Sequence, residues 1–285
     1  MKFVDIKNDI AFRKIFGNEN KKEILISFLN AVLELPEGKK IKDVTFRNTY
    51  LLPEIKLLKS SIVDVKVTDQ RNINYIVEMQ VEKPEGFNKR VQYYAAKQYA
   101  GQIDKGEDYP KLNQVIFIGI LNFNNFPGTD YITNHLTLNK KTLKQDLEDI
   151  EYCFVELLKF KKEETELVSL VDKWIYFIKH AQNLEFVPSN IDDEGLKHAY
   201  EDADKHNWSK EELDAYQDAE IRKQDEKGRV NLAVKEAVEK AIDDNTIEIA
   251  KEMIKENIPP NQICKITKLS MEIIETLTNE LKNSH

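Results

Sequence analysis

Ser61-Ile62-Val63-Asp64-Val65-Lys66-Val67-Thr68, followed shortly by Ile76-Val77-Glu78-Met79-Gln80-Val81, is the stretch on which the fold turns. Side chains along a strand alternate between faces, so Val63, Val65 and Val67 share one side while Asp64, Lys66 and Thr68 share the other. The same alternation separates Val77, Met79 and Val81 from Glu78 and Gln80. If Gln70-Arg71-Asn72 is a three-residue hairpin loop, Asp69 pairs with Ile73, and Asp64 falls directly opposite Glu78. Cross-strand partners have Cβ atoms ~4.5–5.5 Å apart, a separation at which two carboxylates repel. A divalent cation between them would remove the repulsion, and Mg²⁺ prefers such hard oxygen ligands. A hairpin with one solvated face displays the same alternation, so the pattern alone leaves both readings open.

Outward from this hairpin, apolar positions Ile10, Phe12, Ile15, Phe16, Ile24, Leu25, Phe28, Leu29 and Val32 recur at helical spacing, interrupted at Gly17-Asn18, which predicts two short helices within 9–35. Runs rich in Val, Ile, Thr and Tyr at 41–50, 60–69 and 73–82 predict three strands pairing as a meander. A helix is expected over 87–105, ended by Gly106, then a buried strand at 113–122, and a strand pair at 131–139 and 150–158. From 163 the pattern is helical, with Leu167, Leu170, Val171, Trp174, Ile175, Phe177 and Ile178 forming a wide apolar stripe. This order implies an α/β architecture, a mixed sheet flanked by helices. The expected division is a catalytic domain over 1–160, a helical packing segment over 161–190 and a charged helical extension over 191–285.

Charge is spread unevenly over this chain of net charge −8. Residues 1–111 hold 20 Lys and Arg against 16 Asp and Glu, whereas 192–229 hold 13 acids against 7 bases. The latter segment reads as exposed helix or linker with poor anchoring. The tail from 246 reads as short amphipathic helices joined by turns, like a helix-turn-helix, but 246–285 holds five Lys and six Glu and lacks the basic face that phosphate contacts need. Cys153 and Cys264 offer no disulfide framework and no cysteine metal cluster, as expected of a reducing compartment. With a charged start and no run of ~20 apolar residues, a cytoplasmic protein that does not enter the membrane is expected. No Gly-rich phosphate loop, His-Glu-x-x-His helix or Gly-x-Ser-x-Gly elbow occurs.

Lys7-Asn8-Asp9-Ile10-Ala11-Phe12-Arg13-Lys14-Ile15-Phe16-Gly17, Val63-Asp64-Val65, Val77-Glu78-Met79-Gln80, Arg90-Val91-Gln92-Tyr93-Tyr94 and Gly106-Glu107-Asp108-Tyr109 follow one another in order. Together they resemble the recombination-promoting nuclease and transposase branch of the PD-(D/E)XK nuclease superfamily, over roughly residues 5–125. The resemblance implies a restriction-endonuclease-like fold and a metal-dependent endonuclease acting on double-stranded DNA, with Mg²⁺ or Mn²⁺ as cofactor. It assigns Asp64 and Glu78 to the metal and Gln80 to the position where the superfamily usually carries lysine. It also matches Asp9 to an acid on the first helix that often completes the site. An amide cannot serve as cation or proton acceptor, and Lys66, on the same predicted face as Asp64, is the candidate substitute. Arg90, Tyr94 and Gln98 recur at i, i+4 and i+8 and are candidate DNA contacts.

Two rivals remain at this level. One is a catalytically silent DNA-binding or self-associating module of the same fold, favoured by Gln80. The other treats 160–285 as a protein-interaction platform. A homodimer would suit cutting of two strands, although nothing in the residues establishes symmetry.

Overall fold

The computed structural model describes residues 2–51, 61–104 and 106–283. Its strands are β1 (Val44–Phe46), β2 (Tyr50–Leu51), β3 (Ser61–Ile62), β4 (Val65–Asp69), β5 (Asn74–Gln80), β6 (Val115–Leu121), β7 (Ile132–His135) and β8 (Ile150–Glu156). The α-helices are α1 (Asp9–Phe16), α2 (Lys22–Val32), α3 (Phe87–Ala100), α4 (Leu170–His180), α5 (Glu194–Ala203), α6 (Lys210–Lys255), α7 (Pro260–Thr267) and α8 (Met271–Asn283). Contacts divide the chain into two compact units, residues 1–219 and 220–285.

In the first unit a six-stranded sheet has the order β1-β4-β5-β6-β8-β7, with β2 and β3 forming a separate small ladder. The expected meander is present, since β1, β4 and β5 pair antiparallel. Helix α3 then carries the chain back across the sheet, so β6 enters parallel to β5, as a βαβ crossover requires. β8 is parallel to β6 and β7 antiparallel to β8, which makes the sheet mixed. β6 is buried along its whole length because both faces are covered. Ile116, Ile118 and Ile120 join Val65, Val67, Tyr75 and Val77 under α1, α2, α4 and α5, and Val115, Phe117 and Leu121 join Ile76 and Phe154 under α3. The result is an α/β restriction-endonuclease-like layer fold with a helical C-terminal region.

Three local expectations differ from what is observed. Helix α3 stops at Ala100 rather than near 105: the amide of Gly101 bonds Lys97 O, and the Gln102 side chain then takes both backbone groups of Asn113 (2.8 and 2.9 Å), diverting the chain. Val63 does not share a face with Val65 and Val67. The strand bends at Asp64, and Val63 packs on the α3 side with Ile76, Phe87 and Val91. The segment from 192 is not poorly anchored throughout, because Leu196, Ala199, Tyr200 and Ala203 of α5 are core residues.

The last difference has a compact cause. Ser27 of α2 donates to Asp193 Oδ1 (2.6 Å), accepts from Trp174 Nε1 (3.0 Å), and Asp193 caps α5 through the Leu196 amide (2.8 Å). Gly195 lets α5 approach α2 closely enough that an added Cβ would lie 2.5 Å from Glu23 O and 2.6 Å from the Ser27 Cβ. Neither neighbour is the end of a flexible chain. Gly195→Val should therefore lower the unfolding free energy by ~2 kcal/mol or more, read as a lower urea midpoint, through overpacking rather than loss of contacts.

Candidate active site

The expected hairpin register is observed. Asp69 N bonds Ile73 O (3.0 Å), Asn72 adopts the left-handed conformation (φ 64°) that closes a three-residue loop, and β4 and β5 pair as Val65↔Val77 through Thr68↔Asn74. Continued one residue, this register sets Asp64 against Glu78. Asp64 lies at the bend where β4 begins, and its Oδ2 accepts from the Met79 amide at 2.9 Å, standing in for a ladder bond. Its Oδ1 accepts from Arg13 Nε (3.1 Å) and Nη2 (2.9 Å), a two-donor clasp from α1.

Glu78 sits in the middle of the sheet on the α3 face. Its neighbour across β6 is Gly119, and the Phe154 ring lies so close there that a Cβ on Gly119 would meet it at 2.8 Å. Phe154 therefore crowds the Gly119 position, the neighbour of the acid on β6. Glu78 is 8% exposed, and its Oε1 is buried with no hydrogen-bond partner among the described residues. Burial first, then the charge of Asp64, pushes its carboxyl up to about 8, against the opposing pull of Arg90 and Arg13.

Gln80 and Arg90 meet: Arg90 Nη2 donates to Gln80 Oε1 and its guanidinium lies 5.7 Å from the ring centres of both Phe87 and Tyr94. Tyr94 thus supports Arg90 and packs partly into the core beneath α3. Lys66 is half-buried two residues beyond Asp64, with its ammonium pKa lowered by burial and then by the charge of Arg47. Asp9 is exposed in the first turn of α1, one helical turn before Arg13 and so on the same side of that helix. Gln98 is placed elsewhere. Helix α3 runs back over the sheet, and two turns beyond Arg90 the buried Gln98 bonds Asn74 at the opposite end of β5 (3.4 Å). Its expected grouping with Arg90 and Tyr94 as a DNA contact does not fit this burial.

Arg13 is the site residue that sequence reasoning missed. Its signal was present: Ala11, Phe12, Ile15 and Phe16 form the buried side of α1, which leaves Asp9 and Arg13 paired on the other.

Among the described residues no three His, Cys, Asp or Glu side chains converge as a metal cluster. Two carboxylates nonetheless suit Mg²⁺, which keeps several waters and takes one or two protein carboxylates plus substrate phosphates. The unpartnered oxygen of Glu78 fits that role.

A mixed sheet covered by helices on both faces, with two acids opposed at the end of its central hairpin, is the frame of a restriction-endonuclease-like nuclease fold. The model of the PD-(D/E)XK nuclease family transposases matches residues 6–233, and the chain belongs to that family. No curated protein and no solved structure matches it. Membership supports a nuclease or transposition role, and nucleases of this superfamily generally use divalent metal ions. No helix among the described residues is long and apolar enough to cross a membrane.

The raised Glu78 pKa makes a signed prediction for protein in EDTA. The folded state holds a proton that the unfolded chain releases above ~4.5, so stability falls as pH rises from about 4.5 to about 8. The loss is at most ~1.4 kcal/mol per pH unit. Glu78→Gln lacks this loss, and its advantage over wild type in urea unfolding should grow from pH 5 to pH 8. An advantage independent of pH would refute the buried, repelled carboxylate.

Proposed function

We propose that this protein is a Mg²⁺-dependent endonuclease that hydrolyses phosphodiester bonds of double-stranded DNA in recombination or transposition, with Mn²⁺ as an alternative ion. The observation that carries this reading is the buried, unpartnered oxygen of Glu78 facing a second carboxylate, a repulsion that a cation relieves.

In this reading Asp64 and Glu78 hold the ion, which when bound polarises a phosphoryl oxygen and lowers the pKa of the attacking water. The chain's own residues do the rest. Burial of Glu78 keeps bulk water from its carboxyl and strengthens its electrostatic interactions. Arg13 balances the charge of Asp64 and, with its side chain half-exposed, would offer its remaining donors to a phosphate. Arg90, stacked on Phe87 and Tyr94, orients Gln80 and offers further donors to the DNA backbone. Lys66 supplies the cation that Gln80 does not, and Asp9 approaches from the exposed side of α1.

A second reading, a catalytically silent DNA-binding module, is favoured by one contact: Asp64 is already satisfied by Arg13 and the Met79 amide. Relaxation of supercoiled plasmid separates the two. With Mg²⁺ or Mn²⁺ the wild type should cut, and Asp64→Ala and Glu78→Ala should each lower the rate by roughly two orders of magnitude or more. Mg²⁺ or Ca²⁺ should also raise the melting temperature of the wild type and leave both variants unmoved. An ion-induced rise without cutting favours the silent module, and equal cutting by the variants removes these acids from the site.

A further inference from the structure

Helix α6 spans 46 residues, and every residue from 221 to 245 is exposed. A surface helix normally buries one stripe, and a helix apolar on a side that meets nothing calls for a partner. Within the second unit, Val230, Val234, Val238 and Ile242 are 51%, 57%, 52% and 59% exposed.

The arrangement around these residues identifies the partner. Lys223, Lys227, Val230, Val234, Ala237, Ala241, Asp244 and Glu248 recur at alternating spacings of four and three, the seam of a two-stranded coiled coil. This seam is complementary to itself only when reversed. Laid antiparallel against a second copy, Val234 faces Ala237, Val230 faces Ala241, Lys227 faces Asp244 and Lys223 faces Glu248. Large meets small at the centre and opposite charges meet at both ends. Each contact occurs twice, as an isologous two-fold interface requires. A parallel pair would instead set Lys against Lys, and Asp and Glu against themselves. Val238 flanks the seam and widens its apolar side.

We propose that α6 binds a second copy of this chain as an antiparallel coiled coil along residues 223–248. The seam runs ~38 Å at 1.5 Å per residue. It delivers two copies of the sheet-bearing unit to one particle, whether or not that unit cuts DNA.

Sedimentation equilibrium of the full chain, free of DNA and metal, tests this over ~1–100 µM, the range expected of a modest interface. The expected mass is twice 33.3 kDa. The pair Val234→Glu and Ala237→Glu should give monomer, and circular dichroism should show the first unit still folded, because both positions are exposed. Lys223→Glu with Lys227→Glu should raise the dimer dissociation constant by about tenfold or more. Adding Asp244→Lys and Glu248→Lys to the same chain should restore it. A wild type that stays monomeric to ~100 µM overturns the proposal, as does a dimer indifferent to the Val234 and Ala237 changes. So does a dimer that charge exchange does not rescue, because the order of charges would then be parallel or irrelevant.

Discussion

The register of one hairpin governs the chemistry available to this protein, and a buried aspartate holds that register. Asp69 Oδ1 accepts from the amides of Arg71 (2.8 Å) and Ile73 (3.0 Å), while Oδ2 accepts from Arg71 Nε and Nη2 and from the Tyr75 hydroxyl (3.1 Å). Its side chain is wholly buried, so these bonds compensate a charge that would otherwise be costly there. A slip of one residue would forfeit them and turn every side chain of β5 to the opposite face. Glu78 would then point under α1 and α2, among Phe12, Phe16 and Phe28, and the opposition with Asp64 would vanish. On the other side of β5, the parallel pairing with β6 sets Gly119 beside Glu78, where a side chain would collide with the Phe154 ring.

That opposition is unfavourable in itself. Two carboxylates are brought together where β4 begins, and one of them is buried and left with an unpartnered oxygen. Elsewhere the fold satisfies its buried acids: Glu156 takes the Asn125 amide and Lys159, and Asp172 takes Tyr131, Ser169 and Lys162. The contrast matters because the same chain can neutralise a buried carboxylate when neutrality is all that is needed. At Glu78 it supplies only the distant pull of Arg13 and Arg90. A perturbed, unsatisfied buried acid of this kind is characteristic of functional sites, and the two guanidiniums offset its charge through Asp64 and Gln80 rather than by direct bonds.

How much of this could be read from residues alone follows from the range of the forces involved. The period of two in Val65-Lys66-Val67 and Val77-Glu78-Met79, together with the loop length at 70–72, is local information, and it carried the strands, the register and the acid pair. The wholly apolar run at 115–121 marked a strand covered on both faces. For Arg13, by contrast, spacing within α1 gives only its exposed side; that its guanidinium reaches a bend fifty-one residues away depends on where α1 packs. Val63 was misplaced because alternation assumes an unbroken strand, and Asp64 breaks it to take the Met79 amide. Gln98 was misgrouped because helical spacing says which residues share a side, not how far along the sheet the helix has travelled. The anchoring of α5 was hidden by its charged residues, which lie on the outer side of a helix whose inner side is Leu196, Ala199, Tyr200 and a glycine fitted to α2.

Charge placement resolves the remaining tension, that of an acidic chain in a family whose substrate is a polyanion. The acids of 201–212 are largely directed at lysines within residues 2–21: Asp202 and Glu201 at Lys21, Asp204 at Lys2, Glu212 at Lys14. They neutralise positive charge of the first 21 residues. Arg13 and Arg90 stay beside Asp64 and Gln80, with Lys66 two residues on, and none of the three pairs with an acid of that segment. Exposed charges more than ~10 Å apart are largely screened at moderate salt, so an approaching phosphate responds to this local group rather than to the sum of −8. A negative total is thus compatible with a local excess of guanidinium and ammonium groups beside Asp64 and Gln80, because several of the acids are paired with lysines of residues 2–21.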